Sequence, residues 1–290
     1  MIVLLVVGGL FALGGALIAI AGLVPAGRKV AAELWPFYRS EFLIVGAVLL
    51  PSAAGPWPFA VALAAMAARG QYELLDLFGR APRLLFQKLA LMAGAGLAAL
   101  GVLFPEQLPA ALPAVLLAVA LAGLASGARG DLSLTLASLV FPVALVSLAG
   151  VLRAGPDGFL WLFLVQGVVE TNDSFALLVG KLMGRTRPFP RLSPGKTLAG
   201  LVGGMLAGAG AGFVIARCLI GLAPVPALIA VAATLLAGLA GDLLVSALKR
   251  ARGAKDFRPL ALIHGGLLDI YDSLLFAAPA LLALKALRLV

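Results

Sequence analysis

Three stretches in the second half of this 290-residue chain hold acidic, basic and hydroxyl residues at spacings that suit phosphate chemistry. In residues 170–197, Glu170 and Asp173 stand three apart on what reads as a helix, so they share a face, with Lys181 two turns beyond on roughly the same side. After a basic, proline-rich connection, Ser193-Pro194-Gly195-Lys196-Thr197 opens the next apolar run. A helix start presents unpaired N–H groups and the positive end of the helix dipole, which suits a phosphate. Gly195-Lys196-Thr197 is not a Walker A loop, because that motif needs a glycine five residues earlier and Pro190 stands there. In residues 241–257, Asp242, Ser246 and Lys249 recur at i, i+4 and i+7 as one polar stripe, followed by Arg250, Arg252, Lys255 and Asp256. A stop-transfer cluster explains the cations but not Asp242 two turns deep. In residues 264–272, His264 and Gly265-Gly266 precede Asp269 and Asp272, which project from one face at i and i+3. Taken alone, His264 is more often structural than chemical, whereas like charges that close call for a cation between them.

The elements that position these residues follow from composition. The chain is 62% apolar and 12% charged, against roughly 45–50% and about 25% for a soluble domain. This excludes a soluble enzyme and a disordered chain. The single Cys218 excludes a disulfide framework and cysteine-based metal sites, and the single His264 excludes a multi-histidine centre. The expectation is an all-α polytopic integral membrane protein, since the apolar runs are too long for barrel strands. About 20 residues cross a core of about 30 Å. Candidate spans run over 2–24, 41–55, 57–78, 84–104, 109–126, 131–152, 158–182, 196–221, 223–247 and 265–284. The second is short, ends at Pro51 and reads as re-entrant or tilted, giving nine or ten transmembrane helices. The first lacks a basic n-region and is too long for a signal peptide, so it reads as a span.

With the segment before Phe42 on the cytoplasmic side, all Lys and Arg except Arg153, Arg217, Lys285 and Arg288 fall on that side. The net charge of +9 then belongs to one face, the expected inner-membrane arrangement of a prokaryote. Two spans separate the polar connections 183–195 and 248–264, so both lie on this face. Up to residue 155 the acids Glu33, Glu41, Glu73, Asp76, Glu106 and Asp131 sit mainly near span ends. Beyond it, Glu170, Asp173, Asp242, Asp269 and Asp272 fall in or at the edge of apolar helices, where a charge costs at least ~2.5 kcal/mol. Residues 1–155 therefore read as scaffold and 156–290 as the catalytic region of one continuous membrane domain. The stripe Gly200, Gly204, Gly208 and Gly212 reads as close helix packing that fixes the helix starting at Lys196. Cations and helix starts for phosphates, carboxylates for Mg²⁺ and a membrane setting together describe phosphoryl or nucleotidyl transfer involving a lipid.

Ser246-Ala247-Leu248-Lys249-Arg250, then Lys255-Asp256, then His264-Gly265-Gly266-Leu267-Leu268-Asp269 and Asp272 resemble the C-terminal signature of phosphatidate cytidylyltransferases, or CDP-diacylglycerol synthases. Asn172-Asp173-Ser174, Ser193–Thr197 and Gly241-Asp242 resemble that family too, so the resemblance covers about residues 165–275. It implies CTP plus phosphatidate, or a related lipid phosphate, giving CDP-diacylglycerol and pyrophosphate with Mg²⁺. On this reading Asp242 and Asp269 are the metal ligands, with Asp173 and Asp272 in weaker support. Lys249, Lys255, Asp256 and His264 are the catalytic candidates. Asn172, Ser193, Lys196, Thr197, Ser246 and Arg250 are the substrate-binding ones. A second cation and a homodimer are compatible with the reading, and no nucleic acid is expected as partner. One position departs: Ile270 stands where the family has Arg, and Arg250 and Arg258 are the cations available to replace it. A CTP-dependent polyprenol kinase, a transporter and an inactive homologue are the alternatives.

Overall fold

The computed structural model describes residues 2–24, 28–80, 82–127, 129–260 and 265–290. Lipid offers no partner to a backbone N–H or C=O, so apolar segments satisfy themselves as helices, and each run read from the sequence is helical. The chain divides into two compact units between Leu50 and Pro51. The first holds α1 (Ile2–Leu23) and most of α2 (Arg28–Ala54). Within it the Tyr38 hydroxyl donates to the Phe11 carbonyl, and Phe11 meets Phe42 edge to face at 5.3 Å. The run expected at 41–55 is longer than its apolar stretch. Its helix begins at Arg28 and is 27 residues long, because good helix formers such as Arg28, Lys29, Ala31 and Ala32 extend it.

The second unit contains α3 (Pro56–Leu77), α4 (Leu85–Leu103), α5 (Leu108–Ala125), α6 (Arg129–Ser138) and α7 (Leu145–Ala154), the last two joined by a π-helical turn around Pro142. Then come α8 (Gly158–Met183), α9 (Leu198–Ile215, with a π turn to Ile220), α10 (Pro224–Ala251), the single turn α11 (Leu267–Ile270) and α12 (Asp272–Ala286). Six runs among the described residues are long and apolar enough to cross a membrane: Leu85–Leu103, Pro105–Ala125, Arg129–Ala154, Gly158–Met183, Leu198–Ile220 and Pro224–Ala251. The chain is thus an all-α polytopic membrane protein. The other four expected runs, 2–24, 41–55, 57–78 and 265–284, are helical but fall outside that set; the run at 57–78 carries Arg69, Glu73 and Asp76, and the one at 265–284 is interrupted at Tyr271. The core lies along α7, α12 and the first half of α8, where Val146, Ala149, Leu162, Val165, Val168, Leu275 and Leu281 are buried.

Two glycine contacts set the helix spacing. Gly200, Gly204, Gly208 and Gly212 are all buried. A Cβ would stand 2.5 Å from the Ala176 carbonyl oxygen at Gly200, 2.5 Å from that of Asn172 at Gly204, and 2.4 Å from a Val168 methyl at Gly212. α9 therefore rests on the backbone of α8, as the stripe implied. On the next pair, a Cβ at Gly241 of α10 would lie 2.7 Å from the Asp272 carbonyl oxygen on α12.

Gly204→Val should push α9 off α8. Overpacking typically costs 1–3 kcal/mol, or roughly 2–10 °C in Tm for a chain of this size. Gly210→Val, at a position with open space around it, should leave Tm nearly unchanged. Thermal unfolding of both variants in detergent checks this, and equal Tm values would refute the close contact.

Candidate active site

A cavity of about 490 Å³ lies where α8 and α10 end and α9 and α12 begin. Both polar connections border it, Ser193, Lys196 and Thr197 from one and Lys255 and Asp256 from the other. Asn172 and Asp173 enter from α8, Asp242, Ser246, Lys249 and Arg250 from α10, and Asp269 and Asp272 from the start of the last helical segment. The sequence-predicted site residues are thus brought together, apart from His264, which lies outside the described residues. Glu170, Lys181 and Arg258 do not line the cavity. Glu170 instead accepts from Gln166 Nε2 at 2.7 Å, and the Arg258 guanidinium donates to the Tyr72 hydroxyl at 2.9 Å. Ile270 does line it.

Two ammonium–carboxylate pairs organise the polar end. Lys196 pairs with one oxygen of Asp242, and the Ser246 hydroxyl donates to the other at 3.4 Å. Lys249, only 8% exposed, contacts Asp269 Oδ1 at 2.5 Å. Asp269 Oδ2 accepts from the backbone N–H groups of Phe257 and Gly266, both at 2.8 Å. Asp272 is also 8% exposed, and its Oδ1 accepts from the Ser273 N–H at 2.6 Å. Asp173 and Asp242 lie close enough to repel it. Arg250 ties the two connections together, donating to the Leu192 carbonyl at 3.2 Å and the Ala254 carbonyl at 2.8 Å.

Asp269 and Asp272 do not share one continuous helix face, as their spacing implied. The chain breaks at Tyr271 (φ −108°, ψ 11°), which separates α11 from α12, while Asp269 accepts from the Gly266 N–H as the capping residue at the start of the α11 turn. Gly265, at φ +92°, supplies the left-handed backbone that leads into this turn. Thr197 acts as the N-cap of α9, its hydroxyl accepting from the Gly200 N–H at 3.1 Å. Ala176, Leu177, Leu201, Met205 and Leu239 add apolar side chains to the same lining.

One carboxylate escaped the sequence reading, which placed it at a span end. Glu73 of α3 is 1% exposed and accepts from the backbone N–H groups of Leu267 and Leu268 at 2.8 and 2.9 Å, directly beneath Asp269. The available signal was the pair Arg69 and Glu73 at i and i+4 inside an otherwise apolar run, and they do bond, at 2.6 Å. Among the described residues, no three His, Cys, Asp or Glu side chains converge to hold a metal by themselves.

A family model described as the cytidylyltransferase family matches residues 38–287. The chain belongs to the cytidylyltransferase family. This member is 37% identical over 135 residues to the phosphatidate cytidylyltransferase of Bacillus subtilis, covering 45% of this chain and 49% of that one. It is 41% identical over 123 residues to the phosphatidate cytidylyltransferase of Thermotoga maritima, covering 37% and 42%. It is also 43% identical over 127 residues to the uncharacterized protein YnbB of Escherichia coli, covering 42% and 41%. In each case the chain spans less than half the length of the relative.

Thr197→Ala should remove the α9 cap at a cost of about 1 kcal/mol, while Thr197→Ser keeps the hydroxyl and should restore the stability. Denaturant or thermal unfolding of the two variants measures the difference. Equal loss in both would assign the effect to the methyl group, which packs near Gly184.

Proposed function

We propose that this cytidylyltransferase-family member transfers CMP from CTP to phosphatidate or a related lipid phosphate, giving CDP-diacylglycerol and pyrophosphate. The observation that carries the reading is one cavity lined both by the cations Lys196, Lys249, Arg250 and Lys255 and by the apolar side chains Leu177, Leu201, Met205 and Leu239. Such cations suit a triphosphate, and the apolar side chains suit acyl chains. Residues 156–290 form the catalytic region and 1–155 its scaffold. The charge bias puts the cavity on the cytoplasmic face of a prokaryotic inner membrane. The lipid enters sideways between helices of the C-terminal region, so its tails never leave the bilayer.

A phosphomonoester has a second pKa of about 6, by analogy with phosphoserine, so its oxygen is already a nucleophile near neutral pH. That oxygen attacks the α-phosphorus of CTP in line. A new P–O bond forms, the bond to the β-phosphate breaks, and pyrophosphate leaves with the electron pair. The protein's task is alignment and charge neutralisation. The triphosphate draws the ammonium groups of Lys196 and Lys249 away from Asp242 and Asp269. Asn172, Ser193 and Ser246 add neutral hydrogen-bonding groups around it, and Lys255, beside Asp256, adds a further positive charge.

The carboxylate oxygens so released fit a hard dication. Mg²⁺ commonly uses one or two carboxylates together with substrate phosphates and water, so a closed three-ligand cage is not needed. We assign it to Asp242 and Asp269, with Asp173 and Asp272, which line the same cavity, as the weaker candidates. When bound, it supplies charge neutralisation on the phosphates.

Purified protein given labelled CTP and phosphatidate should form lipid-linked CMP. Lipid phosphate plus CDP would instead indicate a kinase, and no product a transporter or an inactive homologue. Asp242→Asn and Asp269→Asn should each abolish turnover in folded protein, and near-normal activity at limiting Mg²⁺ would remove that residue from the ligand set. Ile270→Arg should raise kcat/KM about ten- to hundredfold, the value of one charge-assisted hydrogen bond of roughly 1.5–3 kcal/mol. Equal rates on phosphatidate and on isoprenoid phosphates, with and without the arginine, would place position 270 outside the reaction.

A further inference from the structure

The turn that carries Asp269 is attached to α3, a helix of the scaffold half. Glu73 is a fully buried carboxylate with three donors on it: Arg69 Nε at 2.6 Å and the N–H groups of Leu267 and Leu268 at 2.8 and 2.9 Å. A single helical turn leaves its first N–H groups without partners of its own, and Glu73 takes two of them. Asp269 takes a third, that of Gly266, together with the N–H of Phe257. The two carboxylates therefore take consecutive N–H groups at the same N-terminal end of the turn. The fit is tight, since a Cβ on Gly266 would stand 2.7 Å from Glu73 Oε2 and 2.5 Å from Phe257 Cβ.

The same stretch of α3 holds the other end of the connection. Arg69 also donates to the Arg258 carbonyl at 2.8 Å, and Arg258 donates to the Tyr72 hydroxyl at 2.9 Å. The segment bearing Lys255 and Asp256 thus runs from α10 to an anchor at Arg69–Tyr72, and its far end is anchored again at Glu73. A carboxylate in an apolar run costs free energy unless it is matched, and every partner of Glu73 other than Arg69 belongs to the Asp269 turn.

We propose that Glu73, held by Arg69, is a positioning residue: it fixes the Leu267–Ile270 turn so that Asp269 meets Lys249 at the cavity. The chemical consequence rests on the CMP-transfer reading above, whereas the positioning itself does not. Glu73→Gln keeps the side chain's size but sets an amide NH₂ against one of the two backbone N–H groups and ends the ion pair with Arg69.

The test uses the full chain in detergent, with amide hydrogen exchange followed by mass spectrometry and CMP-transfer kinetics measured in parallel. In Glu73→Gln, peptides covering residues 265–272 should exchange at least tenfold faster, while peptides of α9 keep the wild-type rate. In the same protein kcat should fall about tenfold or more, with KM for CTP changed by less than about threefold. Arg69→Gln, which leaves the carboxylate in place, should shift the same peptides less, and it serves as the probe if Glu73→Gln does not fold. Unchanged exchange at 265–272, or acceleration spread evenly over all helices, would overturn the proposal. If the wild-type protein makes no lipid-linked CMP, the CMP-transfer reading fails, and the exchange pattern still decides whether Glu73 positions the turn.

Discussion

Charges placed among apolar helices must be matched by other charges, and the two lysine–carboxylate pairs of this protein meet that demand while joining separate elements. Lys196 at the start of α9 holds Asp242 on α10. Lys249, two turns further along α10, holds Asp269 in the turn before α12. α10 is therefore the spine of the site, with both partners meeting the one stripe that carries Asp242 and Lys249. In lipid, a lone Asp242 or Asp269 would cost at least ~2.5 kcal/mol. Each pair gives both of its members a partner of opposite charge.

These pairs form only because the backbones come close enough for short reach. The glycines of α9 let it rest on α8, which brings Lys196 and Thr197 beside Asn172 and Asp173. Gly241 does the same for α10 and α12, which sets Asp242 next to Asp272. Small residues therefore serve the chemistry indirectly, by setting the distances between helices whose ends carry the polar groups. Thr197 adds a local constraint, because its cap fixes where α9 begins and hence where Lys196 emerges.

Most of this was legible in the sequence because its signals are local or topological. Hydropathy alone located the helical runs. The i, i+4, i+7 order of Asp242, Ser246 and Lys249 placed them on one stripe, and the two-span separation of the polar connections placed both at one end. What escaped needed contacts across the chain. The spacing of Asp269 and Asp272 suggested one helix face, but the backbone at Tyr271 leaves the helical region and puts the two aspartates on separate segments. Arg258 was a candidate for the cavity, yet Tyr72, distant in sequence, holds it elsewhere. Glu73 sits in a run whose pattern says scaffold, and its partners lie nearly 200 residues away.

The arrangement also accounts for where the cavity opens. Its charged end is built from helix termini and connections, where backbone groups and long cations can reach water. Its apolar lining comes from the bodies of α8, α9 and α10. A molecule that is part phosphate and part hydrocarbon has the same division, so no single environment suits it, but a boundary between the two does. Ile270 lines the cavity, on the turn whose first N–H groups are capped by Asp269 and Glu73. Arg250 also lines the cavity, but its guanidinium already donates to the Leu192 and Ala254 carbonyls. Turning that guanidinium into the cavity would therefore loosen the contact between the two connections.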